Sequence, residues 1–362
     1  MKYFFPLTLG SILLGMLLFT ACDTEEDDGL EEVDFAALRQ TQLTDLYDNE
    51  VLPLHEAFAV KVGELNGSIT DFAASPSTST LEAVRTQWKE VATLWKECEM
   101  YNFGEVNRTF IHFRIHRWPT NVRIIEDSLQ STGQVTDGYA ESLGSSSKGI
   151  AAIEYLIFNG DASTNLTQFT GSQKRMDFLV EISSSLEEST DEYVDAWKAY
   201  GPDFSVAVQS GLTGGQNLAV NSLVSWIEVS LKSRINRLIE EGVDEAESPY
   251  ANASREMLVS GFDAWKRLYS GEYGVNGTYP GLDDYLISLE RGDLDTRIQE
   301  AITNCDQAFS ALAGKTLTEW VNEEVEKVNQ LDDALRALLV LVKADMSSAM
   351  SVTITPNASD GD

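Results

Sequence analysis

Nearly every segment of the chain repeats its apolar residues at steps of three and four, and almost none alternates them in the manner of a strand. From Asp34 onward, Phe35, Leu38, Leu46, Leu54, Phe58, Val62, Leu65, Ile69 and Phe72 predict a long first helix, which Pro53 should bend or split. A Ser-Thr-Pro loop over residues 75–80 follows, and Ser79 with Glu82 has the spacing of a capping box. Leu81, Val84, Trp88, Val91, Trp95 and Cys98 then form the seam of a bundle helix that ends at Tyr101-Asn102-Phe103-Gly104. The segment 105–118 stops at Trp118-Pro119, and Thr120 is placed to cap a short helix through Leu129. Residues 130–147 read as a loop, 148–158 as an apolar helix, and 170–200 as a long helix stopped by Gly201-Pro202.

Helical periodicity resumes from Ser205 to about Gly242, loosened at 211–215, and an acidic linker carrying Asp244, Glu245 and Glu247 comes next. Ala253–Tyr269, Gly281–Glu290, Leu294–Leu312 and Leu317–Met346 complete the helices, the last capped by Thr316 or Thr318, and the Gly-rich stretch 271–281 reads as a connector. The fold class is therefore all-α. A faint repeat pairs Trp95-Lys96 and Phe103-Gly104 with Trp265-Lys266 and Tyr273-Gly274, and Glu154-Tyr155-Leu156 with Asp284-Tyr285-Leu286. It raises the expectation of two tandem helical bundles, 34–202 and 203–362, derived from an ancient duplication, with a site where they meet.

The length of 362 residues agrees with two domains, and the net charge of −32 argues against nucleic acid or anionic lipid headgroups as partners. The first residues read as a targeting segment, with Lys2 followed by an apolar stretch to Phe19 and then Thr20-Ala21-Cys22. This resembles a bacterial lipobox, which implies a signal peptide over 1–21, lipidation of Cys22 and membrane attachment through that lipid. Residues 22–33, with Asp23, Glu25, Glu26, Asp27 and Asp28, form an acidic tether and resemble the export signal of Bacteroidetes-type lipoproteins. The resemblance implies an outer-membrane, surface-exposed lipoprotein. Cys98 and Cys305 lie in helical apolar patterns and read as buried thiols more readily than as a disulfide.

The candidate chemistry gathers around Glu154, a single carboxylate in the apolar run Lys148–Phe158. A buried carboxylate needs a partner or takes up a proton. Arg114, Arg117 and Arg123 offer guanidinium partners, and a cleft lined by Arg, His and Glu could instead hold a ligand. Of the three histidines, His55 reads as structural, while His112 and His116 stand four apart, the spacing at which one helix face presents two imidazoles to a metal. Phe113 occupies the position where a zincin carries its general base. No nucleophile elbow, phosphate-cradling loop or CxxC pair occurs in the sequence.

In their order, Tyr101-Asn102-Phe103-Gly104, Ile115-His116-Arg117-Trp118-Pro119, Gly149-Ile150-Ala151-Ala152-Ile153-Glu154-Tyr155-Leu156, Ser248-Pro249-Tyr250 and Asp360-Gly361-Asp362 resemble the imelysin-like family, peptidase family M75, related to iron-regulated outer-membrane proteins. The resemblance implies an all-α two-bundle fold and a link to iron or haem acquisition, with uptake proteins as partners. It implies metal-dependent peptidase activity only weakly, and this chain weakens it further: the family's Gly-x-His-x-x-Glu element has Ala151 in place of its histidine, and His116 replaces the Asp before Trp-Pro. The two substitutions suggest an imidazole that has changed sides. The ligand-binding candidates are Glu154, His116, Arg114, Arg117, Trp118 and Gly149. The metal candidates are His112, His116 and Glu154, for iron or zinc. A binding component is favoured, and a peptidase of the M75 type is the alternative.

Overall fold

The computed structural model describes residues 33–274 and 277–356. Cys22, the signal and tether segments up to residue 32, and the Asp360-Gly361-Asp362 block lie outside the described residues. Among the described residues the three-four periodicity becomes sixteen α-helices, and no strand occurs. In chain order they are α1 Phe35–Leu46, α2 Leu52–Ala74, α3 Thr78–Glu99, α4 Gly104–Arg108, α5 His112–Ile115, α6 Val122–Gln130, α7 Gly149–Phe158, α8 Ala162–Thr170 and α9 Gln173–Ser205. They continue with α10 Gly215–Val229, α11 Arg237–Glu241, α12 Ser254–Ser270, α13 Leu282–Ser288, α14 Gly292–Ala311, α15 Leu317–Val340 and α16 Ser347–Ala349. None of the described helices is long and apolar enough to cross a membrane.

From Phe35 onward the chain forms one contact unit. Helix α2 packs along α3 and α9, α3 also packs against α7 and α12, and α14 pairs with α15. The stripe read from the sequence of α3 is its buried face: Leu81, Val84, Trp88, Val91, Trp95 and Cys98 are all inaccessible to solvent. The indoles of this core satisfy their polar edges where they can. Trp88 Nε1 donates to the carbonyl of Ile150 at 2.8 Å, and Trp265 Nε1 to that of Leu223 at 3.0 Å. Cys98 and Cys305 are buried free thiols.

The long first helix is divided just before Pro53, as expected: a π-turn over Tyr47–Val51 separates α1 from α2, and the proline sits in the first turn of α2. Several helix ends differ from the sequence expectation. The box at the start of α3 is made by Ser77 and Thr80, not Ser79 and Glu82. Asn121, not Thr120, caps α6, and Thr316 caps α15. Gly201-Pro202 does not end α9, which runs on to Ser205. The reason is tertiary: a Cβ on Gly201 would lie 1.9 Å from the Tyr47 ring, so the glycine is there to admit a side chain and not to break a helix. Two further π-turns, Ser230–Asn236 between α10 and α11 and Leu341–Met346 after α15, widen the helix where they occur, as such turns commonly do beside functional groups.

Candidate metal centre and its cleft

Helix α3 carries Lys96 and Glu99 three residues apart, on the side turned toward the loop between α11 and α12. That loop brings in Glu247, and the π-turn after α10 brings in Arg234. Lys96 Nζ lies 2.7 Å from Glu99 and 2.6 Å from Glu247, and Arg234 lies 2.6 Å from Glu99 and 2.9 Å from Glu247. Two carboxylates thus share two cations. Lys96, Arg234 and Glu247 are buried, whereas Glu99 is 29% exposed. Burial opposes the charge on Glu247, but Arg234 and Lys96 outweigh it and hold the carboxyl below its ordinary range. The same balance, Arg234 first and Lys96 second, holds the Glu99 carboxyl down.

His116 closes the group. Donor atoms of Glu99, His116 and Glu247 all lie within 4.8 Å of one another. Burial, reinforced by the Lys96 charge, pushes His116 down to about 4, so its imidazole is neutral at pH 7 and has a lone pair to offer. One imidazole and two carboxylates suit a divalent iron or zinc ion in donor type. Any such ion competes with Lys96 and Arg234 for the same oxygens. Glu99 and Arg234 also line a cleft of about 500 Å³, together with Phe103, His112, Ser222 and Trp226.

Three residues predicted from the sequence position this group without joining it. Glu154 is 2% exposed, and its Oε1 accepts from the Ser248 hydroxyl at 2.7 Å and from the amides of Tyr250 and Ala251 at 3.0 and 2.8 Å. It therefore pins the loop that starts at Glu247. Trp118 pins the other flank: its Nε1 donates to the Ala246 carbonyl at 2.8 Å, and Arg237 stacks over its ring at 5.4 Å. Gly149, at φ +75°, brings the start of α7 against the backbone that leads into His116. A Cβ there would sit 2.4 Å from the Ile115 carbonyl oxygen and 2.5 Å from that of Arg114.

The arginines are not the partners of Glu154. Arg114 pairs with Glu192, Arg117 stacks over Phe113 at 4.5 Å, and Arg123 reaches Asp127 at 3.4 Å. Of the sequence-derived metal candidates His112, His116 and Glu154, the group contains His116 alone. His112 lines the cleft, but α5 ends at Ile115 and His116 is extended, with φ −144°. The four-residue spacing therefore never becomes a shared helix face. His55 is buried, with Nδ1 2.6 Å from the Val51 carbonyl oxygen. Sequence spacing singles out neither Glu99 nor Glu247 as a donor. Their signals were faint: Glu99 follows the repeated Trp95-Lys96, and Glu247 immediately precedes Ser248-Pro249-Tyr250.

Burial pushes Glu154 up to about 7, against the pull of the Ala251 amide, the Ser248 hydroxyl and the Tyr250 amide. Its folded-state value lies above its ordinary 4.5, so folding favours the protonated form. That contribution is fully present in acid below the ordinary value and is lost as pH rises toward 7. Glu154→Gln keeps an oxygen for the three donors and should remove the loss. Relative to wild type, the variant is expected to gain roughly 2–3 kcal/mol between about pH 5 and about pH 8. Denaturant unfolding at both values measures it, and a pH-independent difference would refute the assignment.

Comparison with known proteins agrees with this architecture. The sequence profile of the imelysin family, peptidase M75, matches residues 51–342. An imelysin-like protein from Psychrobacter arcticum 273-4 superposes with a TM-score of 0.70 at 16% identity, covering 89% of this chain and 98% of that one. A Parabacteroides distasonis ATCC 8503 protein assigned as an iron-regulated protein A precursor superposes with a TM-score of 0.71 at 17% identity, covering 86% of this chain and 95% of that one. No curated protein matches the sequence.

Proposed function

Because this chain belongs to the imelysin family, we propose that it is a binding component of the cell envelope whose Glu99–His116–Glu247 group takes a divalent transition ion, iron or zinc. The observation that carries the reading is the convergence of those three donors at a cleft, with a neutral imidazole among them. The family histidine position is Ala151, buried on the apolar helix α7 and without a donor. His116 supplies an imidazole from the neighbouring segment instead. Lipidation at Cys22, attachment to the outer membrane with a surface-facing body, and work alongside iron- or haem-uptake proteins belong to the same proposal. The assignment of the Parabacteroides relative as iron-regulated supports that context.

The division into bundles at 34–202 and 203–362, and their origin by duplication, is proposed with it. Its support is the grouping of α2, α3 and α9 on one side and of α14 and α15 on the other, joined through α3 and α12. The metallopeptidase reading is weaker. A peptidase needs a base free beside a metal-bound water, and the carboxyl of Glu154 is engaged through Oε1 with the loop.

Titration calorimetry with Fe²⁺ under anaerobic conditions, and with Zn²⁺, tests the proposal. His116→Ala is expected to weaken binding at least about tenfold, the loss of one ligand's differential energy. Lys96→Met removes a competing cation and should strengthen binding. Equal affinity across wild type and both variants would overturn the metal reading. Chelator-sensitive cleavage of a peptide by the wild type would reverse the choice between binding protein and peptidase.

A further inference from the structure

The segment Val352–Pro356, which follows α16, lies beyond the family match at residues 51–342, has no helical or strand assignment and is hydrogen-bonded to α10. Its side chains alternate. Val352 and Ile354 are half-buried against the core, and Thr353 and Thr355 face solvent. Its backbone is held by two asparagines four residues apart on α10, a spacing that places both on one helix face. Asn217 Oδ1 accepts from the Thr353 amide at 2.8 Å, and its Nδ2 donates to the Thr353 carbonyl at 3.3 Å. Asn221 Nδ2 donates to the same carbonyl at 2.9 Å, and its Oδ1 accepts from the Thr355 amide at 2.8 Å. The Thr355 hydroxyl, 3.0 Å from Asn221 Oδ1, adds a side-chain hydrogen bond.

Together the two asparagines do what a neighbouring β-strand does: Asn217 offers an acceptor and a donor to Thr353, and Asn221 a donor to Thr353 and an acceptor to Thr355. Such bonds read backbone and leave side-chain identity to the apolar contacts between them. Asn217 is 4% exposed. Thr355, Pro356 and Asn221 then line the cleft that reaches Glu99 and Arg234.

We propose that Asn217 and Asn221 form a peptide-binding track on α10, that the resident occupant is this chain's own Val352–Pro356 segment, and that an extended peptide with the same apolar–polar alternation takes its place when the segment is released. The proposal is independent of the metal reading, since its contacts involve none of Glu99, His116 and Glu247.

The probe is a fluorescent synthetic peptide with the sequence of residues 350–362. In the full chain, Val352→Ser with Ile354→Ser weakens the resident segment and leaves both asparagines in place. This variant should bind the peptide saturably, at least tenfold more tightly than wild type, and Asn217→Ala with Asn221→Ala added to it should lose that gain. N-methylation of the peptide amides equivalent to Thr353 and Thr355 should abolish binding, whereas exchanging its Val and Ile should not. Equal binding by wild type and the serine variant, or binding indifferent to the asparagines or to N-methylation, overturns the proposal. A chain ending at Ser351, checked for its helical signal by circular dichroism, provides a second host with the same expected ranking. In wild type, amide hydrogen exchange at Thr353 and Thr355 should accelerate at least tenfold on Asn217→Ala with Asn221→Ala. Unchanged exchange overturns the resident-occupant half.

Discussion

Replacing Glu247 by glutamine should destabilise the protein by about 3–5 kcal/mol, the usual cost of removing one partner from a buried ion pair. The substitution leaves Lys96 and Arg234 facing only Glu99, and Lys96 is 1% exposed and cannot recover its hydration in place. Glu99→Gln should cost less. Its carboxylate is 29% exposed, and water can solvate the cations from that side. A double replacement, Lys96→Met with Glu247→Met, should recover much of the loss, because it removes one charge of each sign and leaves the Arg234–Glu99 pair. Denaturant unfolding of the single and double variants measures all of this. A loss under about 1 kcal/mol for Glu247→Gln would mean that the four charges do not depend on one another as their geometry implies.

The second large effect concerns backbone. Gly149→Ala should cost roughly 2–4 kcal/mol, from placing a side chain in the left-handed region and from the collision of its Cβ with two carbonyl oxygens. Neither oxygen is the tip of a flexible side chain. Both belong to the Arg114–Ile115 backbone, so relief must come from moving the start of α7 away from the segment that carries His116. The variant should therefore also bind divalent ions more weakly, in proportion to that displacement. Gly67→Ala is the control. Gly67 sits inside α2 with open space where its Cβ would be, and the change should be neutral or stabilising by about 0.5–1 kcal/mol. Denaturation midpoints of the two variants decide the matter. A Gly149→Ala protein as stable as wild type would show that the close approach is not required.

The contacts around the site connect the family elements to one task. Gly149 lets α7 approach His116, Trp118 holds Ala246, and Glu154 holds Ser248, Tyr250 and Ala251. Each acts on a segment beside a donor, and His116 alone supplies one. An element of the sequence that looks catalytic can thus be the clamp for residues contributed elsewhere, and Glu154 is that clamp for Glu247.

The sequence alone determined what depends on local period and local chemistry. The three-four repeat specified helices because it places apolar side chains on one face, and α3 buried the residues that the repeat selected. The isolation of Glu154 in an apolar run required a partner, since an unpaired buried carboxylate is too costly to keep. Tertiary structure decided who that partner is. Ser248 stands 94 residues away in the chain, and no spacing rule reaches across that distance. It likewise decided that Lys96, Glu99, Arg234 and Glu247 meet, because α3, a π-turn and a loop from distant stretches are brought together only by the packing of the helices. It also undid the one metal pattern that spacing suggested. His112 and His116 share a helix face only if the helix continues, and α5 stops at Ile115, where the chain turns extended to carry His116 to its carboxylates.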